Sequence, residues 1–362
     1  MCVNLKYYFC TMAKVKQDIR ALNLKELEDF FVTNGDKKFR AKQVYEWLWV
    51  KSCVHFDEMT NLSKTTRVML EENFVIHAVQ LSDEQKSSDG TIKNAFQLYD
   101  SHVVEGVLIP SDSRMTACVS SQVGCSLSCA FCATGKLKRL RNLNADEIYD
   151  QVVTIKNQAE ENYQLPLTNI VYMGMGEPLL NYKNVIDSVE KITSPLGLGM
   201  SPKRITVSTA GIAKMIRKLG DDMVRFNLAL SLHAANDVKR NIIMPINEQN
   251  SLEILAESLI YFYEKTGNKI TYEYIIFKGF NDELSDAREL LAYCQHVPCK
   301  VNIIEYNPID DADFQQADPK KVDAFAALLE RNGVTVNIRR SRGKDIDAAC
   351  GQLANKNKAV LK

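Results

Sequence analysis

From about residue 114 onward, short apolar segments alternate with amphipathic ones, and this alternation constrains the fold more than any other feature. The apolar segments have the length and the β-branched content of buried strands. They are MTACVS, NIVYMG, RITVST, FNLALSLH, ITYEYIIF and KVNIIEYN. Helical periodicity is clear in ADEIYDQVVTIKNQ, YKNVIDSVEKI, SLEILAESLIYFYEK and PKKVDAFAALLERNG. Six such units predict an α/β fold, either a partial or full (β/α) barrel or a doubly wound sheet, with a site at the carboxyl ends of the strands.

The first third of the chain has a different character. LNLKELEDFFV and AKQVYEWLWVK carry apolar residues at spacings of three and four, which predicts a small helical accessory domain over residues 1–75. AFQLYD and VVEGVLIP predict a strand pair in a linker region, 76–112, before the α/β barrel at 113–362. The residues before Met12 look like an extension, so we expect translation to begin at Met12, which the intact mass of the native protein would test.

Composition excludes several classes of protein. The chain has no apolar run near the roughly 18 residues that span a bilayer and no secretory signal, so a cytoplasmic location without membrane contact is expected. With 45 basic and 45 acidic residues, it can contact nucleic acid only through local patches. Ten cysteines in such a protein favour metal or thiol chemistry over disulfides. Five of them have no motif and are interpreted as small apolar fillers: Cys2, Cys10, Cys53, Cys294 and Cys299.

The segment GCSLSCAFCATG directly follows the first predicted barrel strand. Its thiols Cys125, Cys129 and Cys132 have the spacing C-x3-C-x2-C, which suits an iron–sulfur cluster with one iron left open. The alternative is a structural zinc site with Cys118 as fourth ligand. That arrangement lacks the paired short knuckles of zinc modules, and Cys118 would have to reach the metal from within a strand.

Polar residues follow several of the other predicted strands. In MGMGEPLLN, Gly174 and Gly176 permit close backbone approach to a ligand, and the Glu177 carboxylate could pair with an ammonium group. A tight turn that caps a helix is the alternative interpretation. Short polar residues at the remaining strand ends predict a ligand rim, although each could instead cap the next helix. They are Ser208, Ser231, His233 and Asn307.

The cysteine motif, with Phe131 before its last cysteine, resembles the signature of the radical S-adenosylmethionine (SAM) superfamily. The resemblance implies a [4Fe-4S] cluster that binds the amino acid end of SAM and cleaves it reductively to a 5′-deoxyadenosyl radical. It also implies a set of residues that contact SAM. These are Gly176 and Glu177 of the G-E-P motif, and Ser208, Ser231, Leu232, His233 and Asn307 at the later strand ends.

Two further cysteines narrow the resemblance. Cys118 in TACVSSQVGC and Cys350 in GKDIDAACGQLA closely resemble the RlmN family of dual-specificity RNA adenine C2-methyltransferases, over nearly the whole chain. The resemblance implies that one SAM methylates Cys350 and that a radical from a second SAM activates the S-methyl group. Cys118 then releases the product through a transient Cys118–Cys350 disulfide, and Glu105 accepts a proton. Taken alone, Cys350 could be a core thiol and Glu105 a surface carboxylate.

The same resemblance implies the partners: adenine 2503 of 23S rRNA, adenine 37 of certain tRNAs, an electron donor such as flavodoxin, and a monomeric enzyme. Three basic groups could bind RNA phosphates while a pocket selects a flipped base. They are Lys136, Lys138, Arg139 and Arg141; Arg339, Arg340, Arg342 and Lys344; and Lys37, Lys38, Arg40 and Lys42. The alternatives are a C8-methylating enzyme of the Cfr type, another radical SAM enzyme such as an activase, and a zinc-containing RNA-binding module. The DAACGQL ending favours C2 methylation.

Overall fold

The computed structural model describes residues 16–310 and 312–356. Met12, with the expected start of translation, lies outside the described residues, as do Cys2 and Cys10. The chain divides into two compact units, one ending at His77 and the other beginning at Ala78.

The first unit is a small helical domain. Its elements are β1 (Gln17–Asp18), α1 (Leu24–Thr33), α2 (Phe39–Trp49), α3 (Lys64–Asn73) and β2 (Phe74–Val75). The helices α1 and α2 were predicted, and their apolar positions are buried, as Leu27 and Phe31 of α1 illustrate. Asn23 and Glu26 form a capping box at the start of α1. The third helix and the parallel β1–β2 pairing were not predicted, because their sequences are short or polar.

The second unit contains twelve of the described strands. They are β3 (Gln80–Lys86), β4 (Ile92–Gln97), β5 (Val103–Ser111), β6 (Arg114–Cys118), β7 (Gln122–Val123), β8 (Arg141–Asn142), β9 (Asn169–Tyr172), β10 (Ile205–Thr209), β11 (Asn227–Ser231), β12 (Ile270–Ile276), β13 (Cys299–Glu305) and β14 (Thr335–Arg339). Ten of them form one sheet in the order β14-β13-β12-β11-β10-β9-β6-β5-β4-β3. The strands β7 and β8 form a separate antiparallel pair.

The helices of this unit connect the parallel strands. They are α4 (Ala145–Tyr163), α5 (Tyr182–Thr193), α6 (Ala213–Asp221), α7 (Asp237–Ile243), α8 (Leu252–Thr266), α9 (Leu284–Tyr293) and α10 (Pro319–Arg331). All six predicted barrel strands are present as β6 and β9–β13, and neighbouring strands among them pair in parallel. The predicted α/β fold is therefore confirmed. A seventh parallel strand, β14, was missed because most of its residues are exposed.

Three antiparallel strands extend the parallel sheet at one edge. The predicted strand pair corresponds to β4 and β5, and the strand β5 pairs with β6 in the register Val107↔Cys118. The pair is therefore continuous with the barrel sheet. The third strand, β3, was missed because its sequence QLSDEQK is polar and largely exposed. The edge strands of the ten-stranded order are β14 and β3, so the described sheet is open.

The carboxyl ends of the parallel strands lie along one edge of the sheet, which gathers the residues that follow them in sequence. Strand β12 is buried along its whole length, as expected for a parallel strand covered on both faces. Among the described residues, no helix is both long enough and apolar enough to cross a membrane.

Candidate active site at the carboxyl ends of the strands

A cavity opens at the carboxyl ends of the parallel strands. It encloses about 920 Å³, including the part open to solvent. Most of the predicted site residues line it: Cys125, Cys129, Cys132, Gly176, Glu177, Ser208, Ser231, His233 and Cys350. These residues come from five separate parts of the chain, so the parallel sheet brings together motifs that are distant in sequence. The other four predicted residues, Asn307, Leu232, Cys118 and Glu105, are buried and do not line the cavity.

The cysteine loop runs from β7 to a 3-10 turn at Thr134–Lys136. It is tightly folded: Ser128 has a φ of 53°, and a Cβ on Gly135 would lie 3.0 Å from the backbone oxygen of Cys129. Phe131 packs edge-on against the ring of His233, with 4.6 Å between ring centroids. The loop thus presents its three thiols to the cavity while its aromatic residue is buried in the barrel.

The three thiols suit a cluster. Burial raises the pKa of Cys125 to about 11 and raises the pKa values of Cys129 and Cys132 above their ordinary range. The neighbouring thiols raise the pKa of Cys129 further, so iron must displace protons when it binds. Among the described residues, no group of three or more His, Cys, Asp or Glu side chains converges to hold a single ion. An iron–sulfur cube takes each thiolate on a different iron, and soft sulfur ligands around one cavity fit that requirement.

Glu177 follows β9 and is almost completely buried. Its carboxylate accepts hydrogen bonds from the backbone N–H groups of Leu179, at 3.0 Å, and Ala210, at 2.7 Å. Burial raises the pKa of this carboxyl, and these hydrogen bonds act in the opposite direction. Gly176, with a φ of 97°, lies so close to Gln122 that a Cβ would meet its side chain at 2.5 Å. The loop therefore requires glycine here, and Glu177 ties it to the end of β10.

The remaining strand-end residues form part of the rim. The hydroxyl oxygens of Ser208 and Ser231, on the neighbouring strands β10 and β11, are 3.4 Å apart. Leu232 is fully buried, its backbone N–H donates to the carbonyl of Glu273, and it does not line the cavity. Asn307 is buried, and its Nδ2 donates to the backbone oxygen of Cys350 at 3.2 Å. It therefore contacts the segment that carries this cysteine.

His233 is a neutral histidine in a strained backbone position, with a φ of 56°. Its Nδ1 accepts the backbone N–H of Ile275 at 3.1 Å, so its ring proton lies on Nε2. Burial, reinforced by the charge of Arg240, lowers the pKa of His233 to about 3. The ring can therefore offer one N–H donor to a ligand without carrying charge at neutral pH.

Arg240 was not predicted from the sequence, although it organises the rim. It is fully buried and donates from Nε to the carbonyl of Leu232 at 3.1 Å, and from Nη2 to the carbonyls of Ala210 at 2.7 Å and Ser231 at 3.2 Å. Burial lowers the pKa of this guanidinium to about 10. Since Arg240 binds the ends of both β10 and β11, it fixes the strand ends that carry the two serines. Arg240 lies in the helix α7, and an arginine in a helix is usually at the surface, so the sequence did not indicate its buried role.

Cys350 is exposed to the cavity, and Cys118 is buried at the end of β6. Both thiols are free. Burial, together with a smaller effect of charge on Cys350, raises the pKa of Cys118 to about 12, so the two thiols lie within electrostatic reach. Desolvation also raises the pKa of Cys350, while Arg339 acts to lower it. Arg339, at the end of β14, also lines the cavity, 3.4 Å from the carboxylate of Glu273.

Glu273 lines the cavity and was not predicted from the sequence. It lies in the middle of β12, is buried, and accepts a hydrogen bond from Asn302 Nδ2 at 2.8 Å. Burial raises the pKa of its carboxyl, and Arg339 opposes that effect. The signal that could have revealed it is one acidic residue in the otherwise apolar strand ITYEYII, because a carboxylate in a strand buried on both faces requires a partner.

Glu105 lies on β5, is only 1% exposed, and is not a surface carboxylate. Its Oε2 accepts the backbone N–H groups of Ala354 at 2.8 Å and Asn355 at 3.0 Å, four and five residues after Cys350. Its Oε1 lies 3.6 Å from the Nζ of Lys93. The structure thus joins Glu105 to the cysteine-bearing segment through its backbone.

The chain is similar to known proteins over both of its units. Residues 17–76 match the model for the ribosomal RNA large subunit methyltransferase N-terminal domain, and residues 119–291 match the radical SAM superfamily. A probable dual-specificity RNA methyltransferase RlmN from Cytophaga hutchinsonii is 62% identical over 359 residues, covering 98% of both chains. Its counterpart from Staphylococcus saprophyticus is 42% identical and covers 95% of this chain and 94% of that protein. The crystal structure of a radical SAM methyltransferase from Sphaerobacter thermophilus is 37% identical, with a TM-score of 0.88 over 93% of this chain and 99% of that one.

Proposed function

The chain belongs to the RlmN family of dual-specificity radical SAM RNA methyltransferases, and from that premise we propose that it methylates C2 of an adenine in RNA. The proposed substrates are adenine 2503 of 23S rRNA and adenine 37 of certain tRNAs. One observation carries the proposal. Cys350 lies in the segment that follows β14, residues 340–355, called here the C-terminal segment, and it lines the same cavity as Cys125, Cys129 and Cys132. This arrangement supports a role for Cys350 as the methyl carrier next to a loop that would bind the cluster.

The three cysteines of the loop would hold a [4Fe-4S] cluster, and the rim of the cavity would hold SAM. Together the cluster and SAM supply, when bound, a radical that abstracts hydrogen. His233 would donate its Nε2–H to SAM, and the two serine hydroxyls would bind polar groups of the same molecule. Buried packing of Phe131 against His233 excludes water from this side of the cavity.

Cys350 would accept a methyl group from a first SAM and carry it as a thioether. The thiolate is the competent nucleophile, and Arg339 favours that form, because its positive charge acts to lower the pKa of Cys350. Such a carrier is needed because C2 of adenine is an electron-poor carbon that cannot attack SAM directly. A second SAM per turnover is then needed to activate the S-methyl group.

Once the S-methyl carbon has bonded to C2, one electron and the C2 proton must leave the adduct, and the oxidised cluster, when bound, would be the acceptor of that electron. Glu105 would accept that proton. The Cys118 thiolate would then attack the sulfur of Cys350, break its bond to the former methyl carbon, and leave a Cys118–Cys350 disulfide. A proton added to that carbon completes the methyl group. The electrostatic coupling between Cys118 and Cys350 supports this pairing.

We expect the basic groups beside the cysteine loop and Cys350 to bind RNA phosphates. We also expect an electron donor such as flavodoxin to supply the reducing electrons. The exposed side chains of Lys138, Arg139 and Arg340 support the first expectation. Since ribosomal and transfer RNAs are the proposed substrates, the enzyme would act in the cytoplasm.

The test is a reaction of the cluster-loaded enzyme with SAM, a reductant and an unmodified 23S rRNA fragment. Mass spectrometry of the digested nucleosides should detect 2-methyladenosine, and Cys350→Ala should abolish it because the methyl carrier is lost. Cys294→Ala is the matched control, since this thiol lies at the end of α9, and it should retain activity. Production of 8-methyladenosine would instead assign the chain to C8 chemistry. Enzyme that cleaves SAM yet methylates neither position would contradict the proposed RNA substrate.

A further inference from the structure

Lys93 is a charged side chain buried within the sheet of the second unit. It lies on β4, is 2% exposed, and its Nζ is 3.6 Å from Oε1 of Glu105. In the antiparallel register, Lys93 is opposite Val107 and Glu105 is opposite Ala95, so the two charged residues are diagonal neighbours on one face. Burial of an unpaired ammonium group is costly, and the carboxylate of Glu105 compensates for it.

The other oxygen of the Glu105 carboxylate binds the C-terminal segment. Two successive backbone N–H groups, from Ala354 and Asn355, donate to it at 2.8 and 3.0 Å. Asn355 has a φ of 54°, a conformation that asparagine tolerates better than most residues, and its Nδ2 donates to the carbonyl of Val103 at 2.8 Å. Hydrogen bonds to an ionised acceptor are the stronger kind, so this contact is a specific anchor for the segment.

The same segment is held on its other side by the cysteine loop and the end of β13. Asn307 Nδ2 donates to the carbonyl of Cys350 at 3.2 Å. The backbone N–H of Ala133 donates to the carbonyl of Gly351 at 2.7 Å, and the hydroxyl of Thr134 donates to the carbonyl of Leu353 at 2.6 Å. Residues 350–355 are therefore clamped between the cysteine loop and the Lys93–Glu105 pair.

We propose that Lys93 is a positioning residue: it pairs with Glu105, and Glu105 docks the C-terminal segment so that Cys350 is held at the cavity. The docking stands on these contacts alone. Its consequence for methyl transfer rests on the proposed function and deepens it. Glu105 would then serve twice: Oε2 binds the segment, and Oε1, which lies 3.6 Å from the Nζ of Lys93 and accepts no hydrogen bond from the described residues, would take the proton of C2.

The first test measures docking directly, by amide hydrogen exchange of the cluster-loaded protein. In Lys93→Met, the amides of Ala354 and Asn355 should exchange at least about tenfold faster than in the parent protein. Lys93→Arg, which keeps the positive charge, should retain most of the protection. Lys269→Met removes an exposed lysine before β12 and is the matched control, which should leave these amides unchanged.

Unchanged exchange at Ala354 and Asn355 in Lys93→Met would overturn the proposal. So would an equal loss of protection throughout β4 and β5, because that pattern means general destabilisation and not undocking. If Lys93→Met does not fold, Ala354→Pro removes one donor from the segment and leaves the buried pair intact. It should accelerate exchange at Asn355, and protection equal to that of the parent would contradict the docking role.

The second test separates positioning from substrate binding. With RNA as substrate, Lys93→Met should lower kcat by about tenfold or more and leave KM for RNA within about twofold, because Cys350 is misplaced while the RNA surface is intact. A raised KM with unchanged kcat would contradict the positioning role. A third outcome separates the two proposals. If Lys93→Met shows faster exchange at Ala354 and Asn355 but neither the parent nor the variant methylates RNA, the proposed function is refuted and the docking inference stands.

Discussion

At the scale of single residues, the site is held by charged groups that are buried. Arg240 was not itself predicted as a site residue, yet its guanidinium donates to the carbonyls of Ala210, Ser231 and Leu232 at the ends of β10 and β11. Unpaired buried carbonyls are costly, so the strand ends depend on this one side chain. His233 is also buried, but it differs from Arg240 in that burial keeps its ring uncharged.

Arg240→Met should lower the free energy of unfolding by about 3–5 kcal/mol, since it leaves several buried oxygens without donors. Arg217→Met is the matched control. Arg217 lies on α6, is half-exposed and is 3.7 Å from Glu257, so its loss should cost less than about 1 kcal/mol. Urea titrations of both variants measure the difference, and equal costs would show that the buried contacts of Arg240 contribute little.

The pH dependence of stability tests the environment of His233. Its pKa is about 3 in the folded protein, against an ordinary value of 6.5. The unfolded chain therefore binds more protons in this interval, and the stability due to the neutral ring falls as the pH falls from 6.5 towards 3. Between about pH 4 and pH 6, His233→Gln should reduce the slope of the unfolding free energy by up to about 1.4 kcal/mol per pH unit. An unchanged slope in urea titrations would mean that the ring is not held neutral.

At the scale of elements, the C-terminal segment joins the two edge regions of an open sheet. It leaves the edge strand β14 and contacts the turn between β3 and β4, where the backbone N–H of Gly343 donates to Asp89 at 2.9 Å. Ser87 and the backbone N–H of Ser88 donate to the carboxylate of Asp345 at 2.5 and 3.0 Å. These contacts fix the start of the segment, and the Lys93–Glu105 pair fixes its end.

Gly343→Ala tests this connection. Gly343 has a φ of 66°, and a Cβ there would lie 2.7 Å from the Cβ of Ala348 and 3.0 Å from Thr91. Gly333 is the matched control, because its φ is 82° and no atom lies within 4 Å of an added Cβ. Both alanine variants incur backbone strain, but Gly343→Ala should cost about 1–3 kcal/mol more because of the clash. Equal unfolding midpoints in urea would show that the turn and the segment are not packed together.

At the scale of the whole molecule, a chain with no net charge must bind RNA through local patches. The group after the cysteine loop is the strongest candidate, because Lys138 and Arg139 are both exposed. In contrast, two members of the N-terminal group have acidic neighbours: Lys38 is 3.1 Å from Glu28, and Arg40 is 4.0 Å from Asp36. Arg141 is also engaged, by Asp100 and Glu147.

Replacing Lys138 and Arg139 together by Gln should raise KM for RNA and lower the salt dependence of RNA binding by about one unit of slope per lost phosphate contact. The control is the double variant Lys269→Gln, Arg331→Gln, which removes two exposed charges, one directly before β12 and one at the last residue of α10. Binding of a labelled RNA fragment across a salt series measures both variants. Identical salt slopes in the two would remove this patch from the RNA surface.

The sequence by itself determined the six strand–helix units, the cysteine loop at the first strand end and the residues that follow the later strands. These features are encoded by local periodicity and short motifs, which report burial and turn geometry directly. The sequence did not predict the strands β3 and β14, because largely exposed strands carry no apolar pattern. Only the tertiary structure decided that Glu105 is buried against Lys93 and the C-terminal segment, that Arg240 holds two strand ends, and that Glu273 pairs with Arg339. Each of these contacts depends on which distant strands and loops become neighbours. The sequence around a charged side chain does not indicate the distant partner that compensates for its burial.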